Sequence, residues 1–277
     1  MPQPGPSVAV IVPTLNERGN VHELVARLDR ALAGDEWEVI FVDDDSTDGT
    51  AAVVLELSRT DRRVRCVQRL GRRGLSGACL EGMLASSAPY IAVIDGDLQH
   101  DEKLLPEMLA DLRSGSFDVA VGSRYIEGGG IGQWSGERAW MSRFATALTR
   151  LVVPVPLADP MSGFFAIRRD ALEPSLRRLS GQGFKLLLDI LSASPGLRVR
   201  ERAYQFDRRR WGESKLDSMV LWEFAMLLGG KIGGRRLPAR FLLFAGIGAL
   251  GVLVHLAALR TGLLAGMPFR WAQLAAT

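Results

Sequence analysis

At 277 residues the chain has room for one large domain, or for a domain plus an appendage. Its 47% hydrophobic and 23% charged residues lie near the average of soluble proteins. The net charge is only +3, and no nucleic-acid partner is expected.

Those averages hide an uneven chain. From Pro238 onward the sequence is mostly apolar and holds no Asp or Glu. Lysine occurs only at 103, 185, 215 and 231, so nearly all cations are arginine. The planar arginine fork suits phosphate, although genome composition explains the same skew equally well. Cys66 and Cys79 have no metal-type spacing, which fits a reduced compartment. The opening MPQPGPSVAV has no charged n-region followed by a long apolar stretch, so it does not read as a signal peptide.

In chain order, residues 8–12 form a β-branched run ended by Pro13. Residues 20–33 carry Val21, Leu24, Val25, Leu28 and Leu32 at helical spacing. A second strand, 39–42, runs into Asp43, Asp44 and Asp45. A helix over 48–58 follows, opened by Ser, Thr and Asp capping candidates. Strands are expected at 64–67, 90–94 and 119–121, with helices at 75–86 and 104–112. Beyond Gly122 the pattern loosens. Gly128 to Gly130 read as a mobile loop. Residues 134–151 read as a helix with Arg138 and Ser142 on one face. Short elements follow at 164–167, 184–191 and 197–203.

Strands alternating with helices imply βαβ units and a mainly parallel sheet, whose ligands bind outside the carboxyl ends of the strands. Three of those ends carry the unusual residues: Pro13 to Glu17, Asp43 to Asp45, and Asp95 with Asp97. Unpaired buried charge is costly, so such acids either face water or hold something cationic. Asp95-Gly96-Asp97 suits a divalent cation shared between carboxylates and a substrate diphosphate, since Mg2+ and Mn2+ prefer oxygen ligands. Gly96 leaves room for a ligand, and Gln99 offers a neutral oxygen. His100 reads as a solvent-facing loop residue, and Asp101 and Glu102 as the turn into the next helix.

Residues 241–259 contain no charge, about the length of one bilayer crossing, and Lys231, Arg235, Arg236 and Arg240 precede them. The positive-inside rule then puts the preceding domain on the cytoplasmic face. Residues 219–228 look amphipathic and interfacial. One span and the start of a second is an odd stopping point, which suggests a piece of a longer membrane protein.

The ordered motifs VPTLNE, VDDDSTDGT, DGDLQHDE and GSRY resemble those of family 2 glycosyltransferases of the GT-A fold. DPMSGFFAIRR and RRWGESKL resemble the dolichol- and polyprenol-phosphate mannose synthases within that family, and the arginine-flanked end resembles the start of a GtrA-like membrane region. The resemblance covers about residues 6–217. It implies a GT-A catalytic domain over 1–217, an amphipathic juxtamembrane segment over 218–238 and a transmembrane region over 239–277.

Motif by motif, it implies that Pro13, Leu15 and Glu17 line the nucleotide pocket and that Val42 and Asp44 contact base and ribose. Relatives often carry Tyr at the Leu15 position. Asp95, Gly96 and Asp97 approach the donor, with Asp97 and Gln99 holding Mg2+ or Mn2+. Arg124, Arg209 and Lys215 face phosphates, and Lys185 lies near the donor. Arg138 and Ser142, with Arg124, grip an acceptor phosphate; Asp95, Asp97, Arg124 and Arg209 carry catalysis.

The implied reaction moves mannose from GDP-mannose to a polyprenyl or dolichyl monophosphate, with inversion, at the cytoplasmic face of a cell membrane. A phosphate monoester, with second pKa near ~6, is already an anionic nucleophile and needs no general base. Ser162-Gly163 either positions Asp159 near the sugar or makes a turn into the next strand. Rival readings are a UDP-glucose or other hexosyl transferase to the same lipid class, a non-catalytic nucleotide-sugar-binding subunit, and a flippase module.

Overall fold

The computed structural model describes residues 5–130, 157–179 and 186–207, and positions 248, 251, 252, 255, 257–261, 266, 268 and 270. The chain divides into two units, Met1–Val220 and Leu221–Thr277.

The first unit is built on one sheet in the order β3-β2-β1-β4-β6-β5-β7. The strands are β1 (Val8–Thr14), β2 (Trp37–Asp43), β3 (Val64–Gln68), β4 (Tyr90–Val93), β5 (Val119–Ser123), β6 (Phe165–Arg168) and β7 (Val199–Ala203). β1 pairs in parallel with β2 and β4, β2 with β3, and β5 with β7. The expected mainly parallel sheet is therefore present, and β6 is its exception. It inserts between β4 and β5 antiparallel to both, with Phe165 opposite Val93 and Val121.

β1, β2 and β5 are buried along nearly their whole length because both faces of the sheet are covered. Val8, Val10 and Val12 of β1 share a core with Val21, Leu24 and Leu28 of α1 (Val21–Ala31), Val54 of α2 (Thr50–Thr60) and Leu105, Met108, Leu109 and Leu112 of α4 (Leu105–Arg113). On the opposite face Gly82 of α3 (Leu75–Leu84) lies against Ile11 and Val42. The last described helix of this unit is α5 (Leu186–Ala193).

Several boundaries move. β1 continues through Pro13 to Thr14, because its pairing with β4 stops at Ile11 and the missing proline N–H removes no ladder bond there. Helix α2 opens at Thr50 rather than at residue 48, after Gly49 in the left-handed region (φ 87°), with Asp48 accepting the Thr50 N–H at 2.9 Å.

Gly128 to Gly130, expected as a mobile loop, are tied down. Gln205 Nε2 donates to Gly128 O at 2.9 Å, Gly130 N–H to Tyr204 O at 3.1 Å and Phe206 N–H to Gly130 O at 2.9 Å. The predicted helix 134–151, the interfacial segment 219–228 and most of the predicted span 241–259 lie outside the described residues. Among the described residues no helix is long and apolar enough to cross a membrane.

Candidate active site

The parallel strands β1, β2, β4, β5 and β7 deliver their carboxyl ends to one edge, and antiparallel β6 brings its amino end to the same edge. Residues 14–17, 43–46, 95–100, 124, 159–164 and 204–207 therefore meet there.

The loops after β1 and β2 are stitched together. Asn16 and Asp45 hold left-handed backbone (φ 56° and 60°). Asn16 N–H donates to Ser46 Oγ and Thr47 N–H to Asn16 Oδ1, both at 2.9 Å. Glu17 N–H donates to Thr50 Oγ1 at 3.0 Å, and Asn20 Nδ2 donates to Glu17 Oε2 at 2.7 Å. Burial alone would raise the Asp48 carboxyl. The Thr50 hydroxyl and the N–H groups of Arg18 and Thr50 outweigh it and hold Asp48 below its ordinary value. Pro13 and Leu15 stand half-buried at this edge.

Val42, near the carboxyl end of β2, is fully buried, as is its neighbour Asp43. Asp44 is at the edge, but in a buried ion pair with Arg69 and accepting the Gly74 N–H at 2.7 Å. Arg69 also donates to Gly74 O at 3.0 Å and Glu81 Oε1 at 3.2 Å.

In the acidic loop after β4, Ile94 N–H still donates to Ile11 O at 3.1 Å, so the acids begin where the ladder ends. The Asp95 side chain is 33% exposed, whereas Asp97 is 5% exposed. Asp97 Oδ1 accepts the Gln99 N–H at 3.2 Å across Leu98, whose φ is 61°. Gln99 donates its amide to Asp207 O, and Asp207 N–H returns a bond to Gln99 O, both at 2.9 Å. Gly96 lies close against β1. A Cβ there would stand 3.1 Å from Thr14 Cγ2 and 3.4 Å from Val12 Cγ1.

His100 corrects an expectation. It is 3% exposed, not solvent-facing, because Phe164, Tyr204 and Phe206 enclose its ring. Burial pushes its pKa down to about 4, so the ring is neutral. Glu102 is also buried, with Arg27 Nη1 3.5 Å from its Oε2. Asp101 and Glu102 form the expected turn into the next helix: Asp101 accepts the Lys103 N–H at 3.2 Å, and Glu102 opens the short 3-10 turn Glu102–Leu104 before α4.

Arg124 is held by Asp159. Its Nε and Nη2 donate to the two oxygens of Asp159 at 2.7 and 2.9 Å, and its N–H to Asp159 Oδ2 at 3.3 Å. Burial lowers the guanidinium, but the bonds to Asp159 outweigh it and raise the pKa. Glu201 holds the other side of the turn, accepting the Ala158 and Asp159 N–H groups at 2.9 and 3.0 Å. Ser162 N–H donates to Asp159 O at 3.2 Å and its hydroxyl to Gly122 O at 2.7 Å. The DPMSGF segment is thus a tight turn that carries Asp159 to Arg124.

Arg138, Ser142, Lys185, Arg209 and Lys215 lie outside the described residues. The pairing of Arg69, the burial of His100 and the role of Asp159 escaped sequence reasoning. The alternation Tyr204-Gln205-Phe206 after β7 was the available signal for an aromatic cluster at this edge.

The donor set after β4, two carboxylates one residue apart and a carboxamide, is all hard oxygen and fits a magnesium- or manganese-type cation. Among the described residues no group of three or more His, Cys, Asp or Glu converges as a metal cage. A cation here would take its remaining ligands from phosphate and water, as Mg2+ commonly does.

The sequence model of the family described as glycosyl transferase family 2 matches residues 9–176. A dolichol-phosphate mannosyltransferase of Pyrococcus furiosus is 36% identical over 250 residues, covering 90% of this chain and 70% of the relative. One from Saccharomyces cerevisiae is 34% identical over 231 residues, covering 79% and 85%. Among solved structures, glucosyl-3-phosphoglycerate synthase of Mycobacterium tuberculosis with Mn2+, UDP-glucose and phosphoglyceric acid is similar with a TM-score of 0.62. It is 20% identical and covers 83% of this chain and 80% of that one, a likeness of fold.

Proposed function

The chain belongs to glycosyl transferase family 2, and we propose that it transfers mannose from GDP-mannose to a dolichyl or polyprenyl monophosphate, with inversion at the sugar carbon. The observation that carries this reading is the 36% identity to a dolichol-phosphate mannosyltransferase over 90% of the chain. The geometry supports it, because the acid-rich strand ends and the antiparallel β6 bring these polar residues to one edge.

Pro13, Leu15, Glu17 and Asp44 would form the nucleotide side of that edge, with Arg69 fixing Asp44. Asp95 and Asp97 would face the diphosphate, and Asp97 with Gln99 would hold Mg2+ or Mn2+. A bound divalent cation supplies charge neutralisation of the departing diphosphate. Lys185, Arg209 and Lys215 would add positive charge on the donor side, and Arg138 and Ser142 would hold the acceptor phosphate.

The acceptor brings its own nucleophile. A phosphate monoester is anionic near neutral pH, so this chain need only bind, align and exclude water. The neutral, enclosed His100 is suited to holding the acidic loop rather than to taking a proton. The apolar segment 241–259 and its preceding cations fit an anchor with the catalytic unit on the cytoplasmic face, where soluble donor meets lipid acceptor.

The test is a transfer assay with the full chain, GDP-mannose and a short-chain polyprenyl phosphate, with and without chelator. Chelation and Asp97→Ala should each lower turnover by at least ~100-fold, the scale of losing one charge-stabilising group. Full turnover in Asp97→Ala would remove the proposed cation site.

A further inference from the structure

One imidazole addresses both the backbone and the side chain of Asp95. His100 Nδ1 accepts the Asp95 N–H at 3.4 Å. A nitrogen that accepts an N–H carries no proton of its own, so the ring proton lies on Nε2. Nε2 stands 3.6 Å from Asp95 Oδ2. The carboxylate is also approached by Gly163, where a Cβ would come within 3.1 Å of Oδ2 and 3.3 Å of Oδ1. Asp95 therefore has both a ring and a bare α-carbon close to its carboxylate.

The ring itself is held. It stacks on the fully buried Phe164 with centroids 5.3 Å apart and planes 15° apart. Tyr204 meets it edge-on at 5.7 Å, and Phe206 closes the cluster at 5.5 Å. These contacts come from three separate places in the chain: the loop after β4, the turn before β6, and the segment after β7. A side chain needed only to fill this apolar space would be a phenylalanine. A polar ring here has a reason only in what its nitrogens hold.

We propose that His100 is a positioning residue, which fixes the Asp95 carboxylate in the orientation that meets the donor diphosphate and its cation. This rests on the reading of Asp95 as a donor-facing group. The lever is preorganisation. A carboxylate free to rotate away loses alignment, and misplacement by about 1 Å costs on the order of 100-fold in rate.

Phenylalanine is the informative replacement. His100→Phe preserves the stack and loses both nitrogens. A purely structural role predicts that it is the best tolerated variant. Positioning predicts that it keeps the thermal midpoint yet loses 10- to 100-fold in kcat/KM for the donor, with the acceptor KM unchanged. His100→Asn can restore the acceptor for the Asp95 N–H, and His100→Gln a donor near Oδ2, so each should recover part of the loss. Gly163→Ala, at a position outside the left-handed region, pushes on the same carboxylate and should lower activity without His100 being touched.

Calorimetric titration with Mn2+ and GDP gives a readout independent of turnover, and His100→Phe should bind the pair at least ~10-fold more weakly. Wild-type binding and wild-type kcat/KM in His100→Phe would overturn the proposal. A wild-type protein that neither binds GDP with Mn2+ nor transfers mannose would instead overturn the functional reading beneath it.

Discussion

Replacing Asp159 by Ala strips the carboxylate from a largely buried guanidinium. Asp159 is 0% exposed and the Arg124 side chain 12% exposed, and three hydrogen bonds of 2.7, 2.9 and 3.3 Å join them. Removing one partner of such a pair leaves an uncompensated buried charge, at a cost of about 3–5 kcal/mol. For a domain of this size each kcal/mol moves the midpoint by roughly 2–4 °C. Asp159→Ala should therefore unfold about 6–20 °C below wild type when followed by near-UV circular dichroism. The double variant Arg124→Met/Asp159→Ala should recover part of the loss, because the stranded charge is gone. If Asp159→Ala unfolds within about 1 kcal/mol of wild type, or the double variant loses the sum of both singles, the pair is not what holds this turn.

Three further perturbations probe other parts of the edge. Gly96→Ala should cost about 1–3 kcal/mol by overpacking Thr14 and Val12, read as a shift in denaturant midpoint; a neutral effect would show that this loop stands off from β1. Arg69→Met strands the buried Asp44 and should raise the KM for the nucleotide-sugar while lowering stability by about 3–5 kcal/mol; an unchanged KM would separate Asp44 from the donor. The folded-state pKa of Asp48 lies below 3.8, so its contribution is present above pH 3.8 and disappears as pH falls through the folded value. Asp48→Ala should therefore be less stable than wild type at neutral pH, and the gap should narrow below pH 3.8; a gap independent of pH would contradict the loop bonding.

The parts of the fold that sequence made legible are those with local causes. β1, β2 and β4 are short apolar runs ending in Pro13, Asp43 and Asp95, and α1 carries Val21, Leu24 and Leu28 on one stripe. What escaped depends on contacts distant in the chain. Nothing in Phe165–Arg168 states that it runs antiparallel between β4 and β5, because period-two patterning carries no direction. Arg124 and Asp159 lie 35 residues apart, so their pairing could not be read from spacing.

His100 looked solvated because its neighbours in sequence are acids, while its neighbours in space, Phe164, Tyr204 and Phe206, come from elsewhere. The bulk that a side chain at Gly96 would meet belongs to Val12 and Thr14, about eighty residues earlier.

Mannosyl transfer to a lipid phosphate is tested most directly by product formation by the full chain with one short-chain polyprenyl phosphate, offered GDP-mannose and UDP-glucose in parallel with added Mn2+ or Mg2+. A mannosylated lipid phosphate and release of GDP are expected, both abolished by chelator. Preferential glucosyl transfer, or nucleotide binding without GDP release, would contradict it.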